Sequence, residues 1–190
     1  EELHILKPGI SWSPSGNQII FAAKSGKEDA LFVYDIKTNK QLNKIFFEDY
    51  FNYDIEGITR PEWNPINNKI AFIGNNGFAS DVYIYDMDDN TLVNITDDWF
   101  SDTQVSWHPN GKDLLMISNR LDNLNLGKNI DILNFTTHNV NNNDIYKILN
   151  KNSKYIIKRL TNTEFNESYA YHSPDGTQIA YISDESGIYN

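Results

Sequence analysis

The chain has 190 residues, 39% of them hydrophobic and 13% aromatic, and a formal net charge of −10. That is enough apolar material for one sizeable core, and so acidic a chain repels phosphate backbones, which argues against nucleic acid as a partner. Having no cysteine, it forms no disulfide, thiolate metal site or cysteine nucleophile, and no apolar run approaches the roughly 18 residues of a transmembrane segment.

The opening residues, EELHILKPG, lack the basic start and apolar stretch of a signal peptide. Ile10 to Gly16 then reads ISWSPSG, a strand end running into a tight turn, and QIIFAA follows as an apolar strand. After a polar gap come ALFVYDI (Ala30 to Ile36) and QLNKIFF, two further strands joined by a polar, asparagine-containing turn. The same order returns from PEWNPIN (Pro61 to Asn67), through KIAFIG and DVYIYDM (Asp81 to Met87), to LVNITD. A third copy starts at VSWHPNG (Val105 to Gly111) and continues with DLLMIS, NIDILNF (Asn129 to Phe135) and IIKRLTN. A fourth starts at AYHSPDG (Ala170 to Gly176), continues with QIAYIS and stops where its third strand should begin. The turn prolines are Pro14, Pro65, Pro109 and Pro174, and the last interval is the longest. The only stretch with any helical character, Asn143 to Tyr155, has an apolar face of just Ile145, Ile148 and Leu149. It reads as an insertion in the third copy.

The turn chemistry is consistent from copy to copy. Serine accepts at the first position, proline presets φ at the second, and glycine takes positive φ at the fourth. Asn67 replaces that glycine in the second copy, and asparagine is the next residue most tolerant of the conformation. Four short strands per unit of about 40 to 50 residues define β-propeller blades. The expected fold is all-β: three complete four-stranded antiparallel blades and part of a fourth, over approximately residues 10–47, 61–97, 104–162 and 168–190. Strand alternation places Trp12, Trp63, Trp107 and His172 at one equivalent, packed position.

YAYHSPDGTQIAYISDESGIYN and PEWNPINNKIAFIGNNGFASDVYIYDMDDNTLVNITDD resemble the TolB-like propeller repeat, a WD-like repeat. Ser15, Ile66 and Asn110 depart from that pattern where Asp175 follows it, and His172 departs where the other copies have tryptophan. The resemblance implies a ring of six or seven blades, with the missing ones supplied by the rest of a longer chain or by another chain. It implies a non-catalytic scaffold of the bacterial periplasm or cell envelope that binds a protein partner and needs no cofactor. A cysteine-free chain suits the cytosol as well. The resemblance also allows the substrate-gating propeller of a prolyl-oligopeptidase-like serine peptidase whose catalytic domain is absent here, or a glycan-binding or lyase-type propeller.

Few residues suggest chemistry. No G-x-S-x-G nucleophile elbow occurs, so Ser13 and Ser173 read as turn caps and His108 as a turn residue. DMDDN (Asp86 to Asn90) lacks the glycine and the twelfth-position glutamate of a calcium-binding EF-hand loop. TDDWFSD (Thr96 to Asp102) and SDES (Ser183 to Ser186) could lend oxygens to a cation if the fold made them converge. The loops entering each first strand carry aromatics beside acids, Tyr50, Phe51, Tyr53, Trp99, Phe100 and Phe165. Such a mixture suits a protein-recognition surface, so these six are the expected partner-binding residues.

Overall fold

The computed structural model describes residues 6–47, 55–128, 139–152 and 154–187. Every element among them is a β-strand. The first sheet is β1 (Leu6–Trp12), β2 (Gln18–Ser25), β3 (Glu28–Asp35) and β4 (Lys40–Ile45), and the second is β5 (Gly57–Trp63), β6 (Lys69–Asn75), β7 (Ser80–Asp86) and β8 (Thr91–Asn94). The third is β9 (Asp102–Trp107), β10 (Leu114–Ser118), β11 (Asp144–Lys151) and β12 (Lys154–Arg159), and β13 (Glu167–His172) with β14 (Ile179–Ser183) begins a fourth. Each sheet is an antiparallel meander in sequence order. The first strands of successive blades lie against one another, β1 on β5, β5 on β9 and β9 on β13, so they form the inner wall around a common axis.

The repeated turns close as their residues dictate. Gly16, Gly111 and Gly176 take positive φ and donate N–H to the carbonyls of Ser13, His108 and Ser173. The Ser13 and Ser173 hydroxyls accept from the amides of Gln18 and Gln178 at 3.1 and 3.0 Å. His108 serves the same end through Nδ1, which accepts from the Asn110 amide at 3.0 Å. Asn67 does not adopt positive φ. Its turn is held instead by the Asn64 side-chain oxygen, which accepts from the amides of Ile66 and Asn67.

Two sequence expectations need correction. The third strand of blade 3 is Asp144–Lys151, which pairs Ile145 with Ile117 and Tyr146 with Met116. Between Asn143 and Tyr155 the chain therefore contributes strand, β11 and the start of β12, and the extra length lies in the connection between β10 and β11. Asn129 to Phe135 falls outside the described residues.

The second correction concerns the tryptophan position. The cores lie between blades: Ile20, Leu31 and Val33 of blade 1 meet Ile70, Phe72 and Tyr85 of blade 2, and the far face of blade 2 meets blade 3 through Ile73, Val82, Leu114 and Met116. Trp63, 5% exposed, packs back onto blade 1. Trp107 packs back onto blade 2, with its indole N–H given to the Glu62 carbonyl at 3.0 Å. His172 packs back onto blade 3, edge-on to His108 at 4.4 Å. Trp12 is 58% exposed, because each residue at this position covers the blade before its own and no described blade stands before the first. Trp12 shares that face with the exposed Ile10 and the half-buried Phe21 and Tyr34, while Phe32 beside them is buried under Phe21 and Lys44.

Candidate functional site

Antiparallel order puts the links β2–β3, β4–β5, β6–β7, β8–β9, β10–β11 and β12–β13 at one end of the blades. A repeated clip holds them. Each third strand opens near a buried aspartate: Asp29, Asp81 or Asp144. Asp29 accepts from the Ile58 amide at 3.0 Å. Asp81 accepts from the Thr96 hydroxyl and the Asp98 amide, and Asp144 from the Thr161 hydroxyl and the Thr163 amide. A carboxylate inside one blade thereby fixes the loop that enters the next. Burial pushes the Asp81 carboxyl above its ordinary range.

Between blades 2 and 3 the clip widens into an ion cluster. Arg120 is fully buried and donates to Asp98 and Asp102, each at 2.9 Å, and through Nε to the Ser118 hydroxyl at 3.0 Å. Burial works against its charge, and the two carboxylates outweigh burial and hold the guanidinium protonated. Two of the three acids of TDDWFSD, Asp98 and Asp102, are thus held by an arginine, and the third, Asp97, lies beside Lys128. In SDES, Asp184 accepts from the Asn166 amide and side chain. Among the described residues no three His, Asp or Glu side chains are placed to hold a metal ion.

The expected partner-binding aromatics separate on this frame. Trp99 is 48% exposed. Its indole N–H donates to the Lys128 carbonyl at 3.2 Å, and the Lys128 ammonium lies 5.8 Å from its ring centre and 3.2 Å from Asp97. The long β10–β11 link therefore braces Trp99 while leaving much of the indole in water. Phe100 is the correction: at 1% exposure it is core. Its amide donates to Asp98, and its ring stands 5.7 Å from the Arg120 guanidinium, roofing the ion cluster. Phe165 is half-buried, with its amide on the Thr163 hydroxyl. Tyr50, Phe51 and Tyr53 lie outside the described residues.

Sequence reasoning missed Phe78, which is 94% exposed at the tip of the β6–β7 turn. Asn76 caps that turn by accepting from the amides of Phe78 and Ala79 at 3.1 and 3.0 Å. The signal was there in NNGFAS, an aromatic directly after a turn glycine, but attention to the loops entering first strands passes over it. The same end also carries exposed Leu124 and Val140, exposed Glu56, Asp97 and Glu164, and a cleft of about 500 Å³ between Asp122, Asn139, Arg159 and Asn162. The arrangement holds two large aromatic knobs on rigid loops in an acidic setting. It is suited to binding.

The inter-blade cores and the axial order of first strands define the class: this is part of a β-propeller. Solved structures agree. TolB from Acinetobacter baumannii superposes with a TM-score of 0.66 at 18% identity, over 95% of this chain and 38% of that one. The β-propeller domain of the Trilobed protease from Pyrococcus furiosus gives 0.59 at 14% identity, over 94% and 48%. Pyrococcus horikoshii acylaminoacyl peptidase gives 0.58 at 14%, over 95% and 28%. The chain thus spans less than half the length of each of these structures. No protein-family description and no curated protein matches it by sequence.

Proposed function

We propose that the chain is a segment of a TolB-like propeller that acts as a non-catalytic scaffold, in or near a bacterial envelope, and binds a protein partner through its loop end. The observation that carries this reading is the exposure of Phe78 and Trp99 on loops locked by Asn76 and Lys128. Rigid aromatics lose little entropy on binding and recur as energetic anchors of interfaces. The surrounding acids favour a partner with a basic rim. The test is site-specific photo-crosslinking in the source cells, with p-benzoylphenylalanine in place of Phe78 or Trp99 and, as control, in place of the exposed Leu42 on the outer strand of blade 1. A discrete adduct from 78 and 99 and none from 42 supports the reading. No adduct, or the same adducts from all three positions, overturns it.

A second reading draws on the likeness to peptidase propellers: the segment would gate substrate for a hydrolase domain elsewhere in the full-length protein. A G-x-S-x-G segment in the complete gene, with peptidase activity that changes when this propeller is deleted, would favour it.

A further inference from the structure

The inner wall carries a cluster that the loop end does not use. β1, β5 and β13 each break their ladder register at one level, between Leu6 and Ile10, Thr59 and Glu62, and Ser168 and Tyr171. The positive-φ residues in these bulges are Gly9, Arg60 and Tyr169. Glycine adopts that conformation freely, whereas arginine and tyrosine are strained in it, and a bulge re-aims a side chain. The bulges bring the Arg60 guanidinium to 4.9 Å from the Tyr169 ring centre.

Arg60 belongs to blade 2 and Tyr169 to blade 4. Blade 3 stands between them, so the two meet in the axial space. Glu62 faces the same place, where the side chains of Tyr171 of blade 4 and Ser11 of blade 1 act on its carboxyl. Gln104 and Ser106 of blade 3 pin the strained segment, Gln104 accepting from the Tyr169 amide at 2.8 Å and Ser106 donating to the Ala170 carbonyl at 2.9 Å. All four blades therefore contribute to one constellation.

Arg60 is half-buried and makes no hydrogen bond among the described residues, so its donors are unspent. Stacking on an aromatic ring leaves the guanidinium edge open for a planar, bidentate acceptor. We propose that Arg60, flanked by Tyr169 and Tyr171, is an axial binding site for a single carboxylate presented by an extended polypeptide. A phosphate is the poorer match, because its larger charge would face Glu62 and the acidic field of the chain. A β-carbon on Gly9 would come within 2.6 Å of the Arg60 backbone, so β1 and β5 close tightly on each other where Arg60 is turned.

Glu62 sets the pH dependence. Burial raises its carboxyl to about 7, with Tyr171, Ser11 and Arg60 opposing. The charged or titratable groups acting on it are Arg60 on its own strand and Tyr171 on β13, with the Ser11 hydroxyl of β1 beside them, and β9 contributes the neutral Trp107 indole, on the Glu62 carbonyl. Below neutrality Glu62 takes up a proton and stops repelling a bound carboxylate. Affinity therefore rises as pH falls from 8 to 6.

The test uses the whole chain with 3-fluorotyrosine, followed by ¹⁹F and Arg Nε–H magnetic resonance. The probes are acetyl-Gly-Gly-Gly with a free C-terminus, acetyl-Gly-Asp-Gly-amide and, as neutral control, acetyl-Gly-Asn-Gly-amide. The expected result is a saturable shift of the Arg60, Tyr169 and Tyr171 signals with one or both carboxylate probes, stronger at pH 6 than at pH 8, with at least a tenfold loss in Arg60→Gln. The first two probes distinguish a chain terminus from an acidic side chain. Arg60→Gly separates binding from folding: glycine relieves the positive φ, so this variant should melt within a few degrees of the parent yet lose the response. Equal shifts with the asparagine probe, no response at either pH, or undiminished binding in Arg60→Gly would overturn the proposal.

Discussion

Trp12, Trp63, Trp107 and His172 occupy one repeat position and meet four different surroundings, so identical chemistry has unequal worth. Trp63 lies inside the blade 1–blade 2 core, and Trp63→Ala should cost about 3–5 kcal/mol in urea unfolding. Trp12→Ala should cost under about 0.5 kcal/mol, as substitutions at exposed positions usually do. Equal losses would mean that Trp12 has a cover in solution. His172 adds a pH dependence. Burial lowers its pKa to about 4, helped by the nearby His108 and Lys147 and opposed by Asp113, and its buried Nδ1 has no hydrogen-bond partner. An unfolded histidine titrates near ~6.5. Between those values the unfolded chain holds a proton that the folded chain rejects, so stability falls as pH drops from about 6.5 towards 4. Comparing urea midpoints at pH 7 and pH 4.5, His172→Phe should show a shallower decline than the parent; parallel declines would remove His172 as a cause.

At the scale of elements, strands and turns were legible where the sequence repeats a local rule. The serine, asparagine or histidine before each turn proline caps its turn, and alternation identified the blade faces. β11 was not legible. NIDILNF and NDIYKIL both offer an aspartate next to an apolar run, and local pattern cannot say which one pairs with β10. The non-local clip decides, since Asp144 must reach Thr161 and Thr163 just as Asp81 reaches Thr96 and Asp98. The aromatic loops show the same limit. Trp99 and Phe100 are adjacent in an irregular segment, where no periodicity tells inside from outside, and it is the buried Arg120 that draws Phe100 in. Arg60 and Tyr169 were invisible because their meeting depends on bulges at residues that do not ordinarily take positive φ. The ion cluster carries its own prediction. Arg120→Met strands Asp98 and Asp102 without their cation and should cost about 3–5 kcal/mol, whereas Arg120→Met combined with Asp98→Asn and Asp102→Asn should recover part of it. Urea midpoints of the two variants check this, and a triple variant no more stable than the single one would refute the electrostatic cause.

For the molecule as a whole, stability resides between blades more than within them, so each blade needs a neighbour. Blades 2 and 3 have one on both sides. Blade 1 presents Ile10 and Trp12, with the half-buried Phe21 and Tyr34 beside them, on a face that no described blade covers, and a bare apolar sheet face is an association site. The net charge of −10 opposes the meeting of two such faces, and that repulsion is screened as salt shortens the Debye length from about 30 Å at 0.01 M to about 3 Å at 1 M. Hydrophobic burial is not weakened in the same way. The 190-residue polypeptide should therefore self-associate more strongly as sodium chloride is raised, seen as a rising weight-average sedimentation coefficient at fixed protein concentration. Trp12→Lys combined with Ile10→Lys places two charges in the middle of the face and should hold the chain monomeric over the same range. Phe78→Lys, at the loop end, should leave self-association unchanged. If the loop-end variant and not the double variant abolished association, the contact would lie on the proposed partner surface, and blade 1 would have to be covered in some other way.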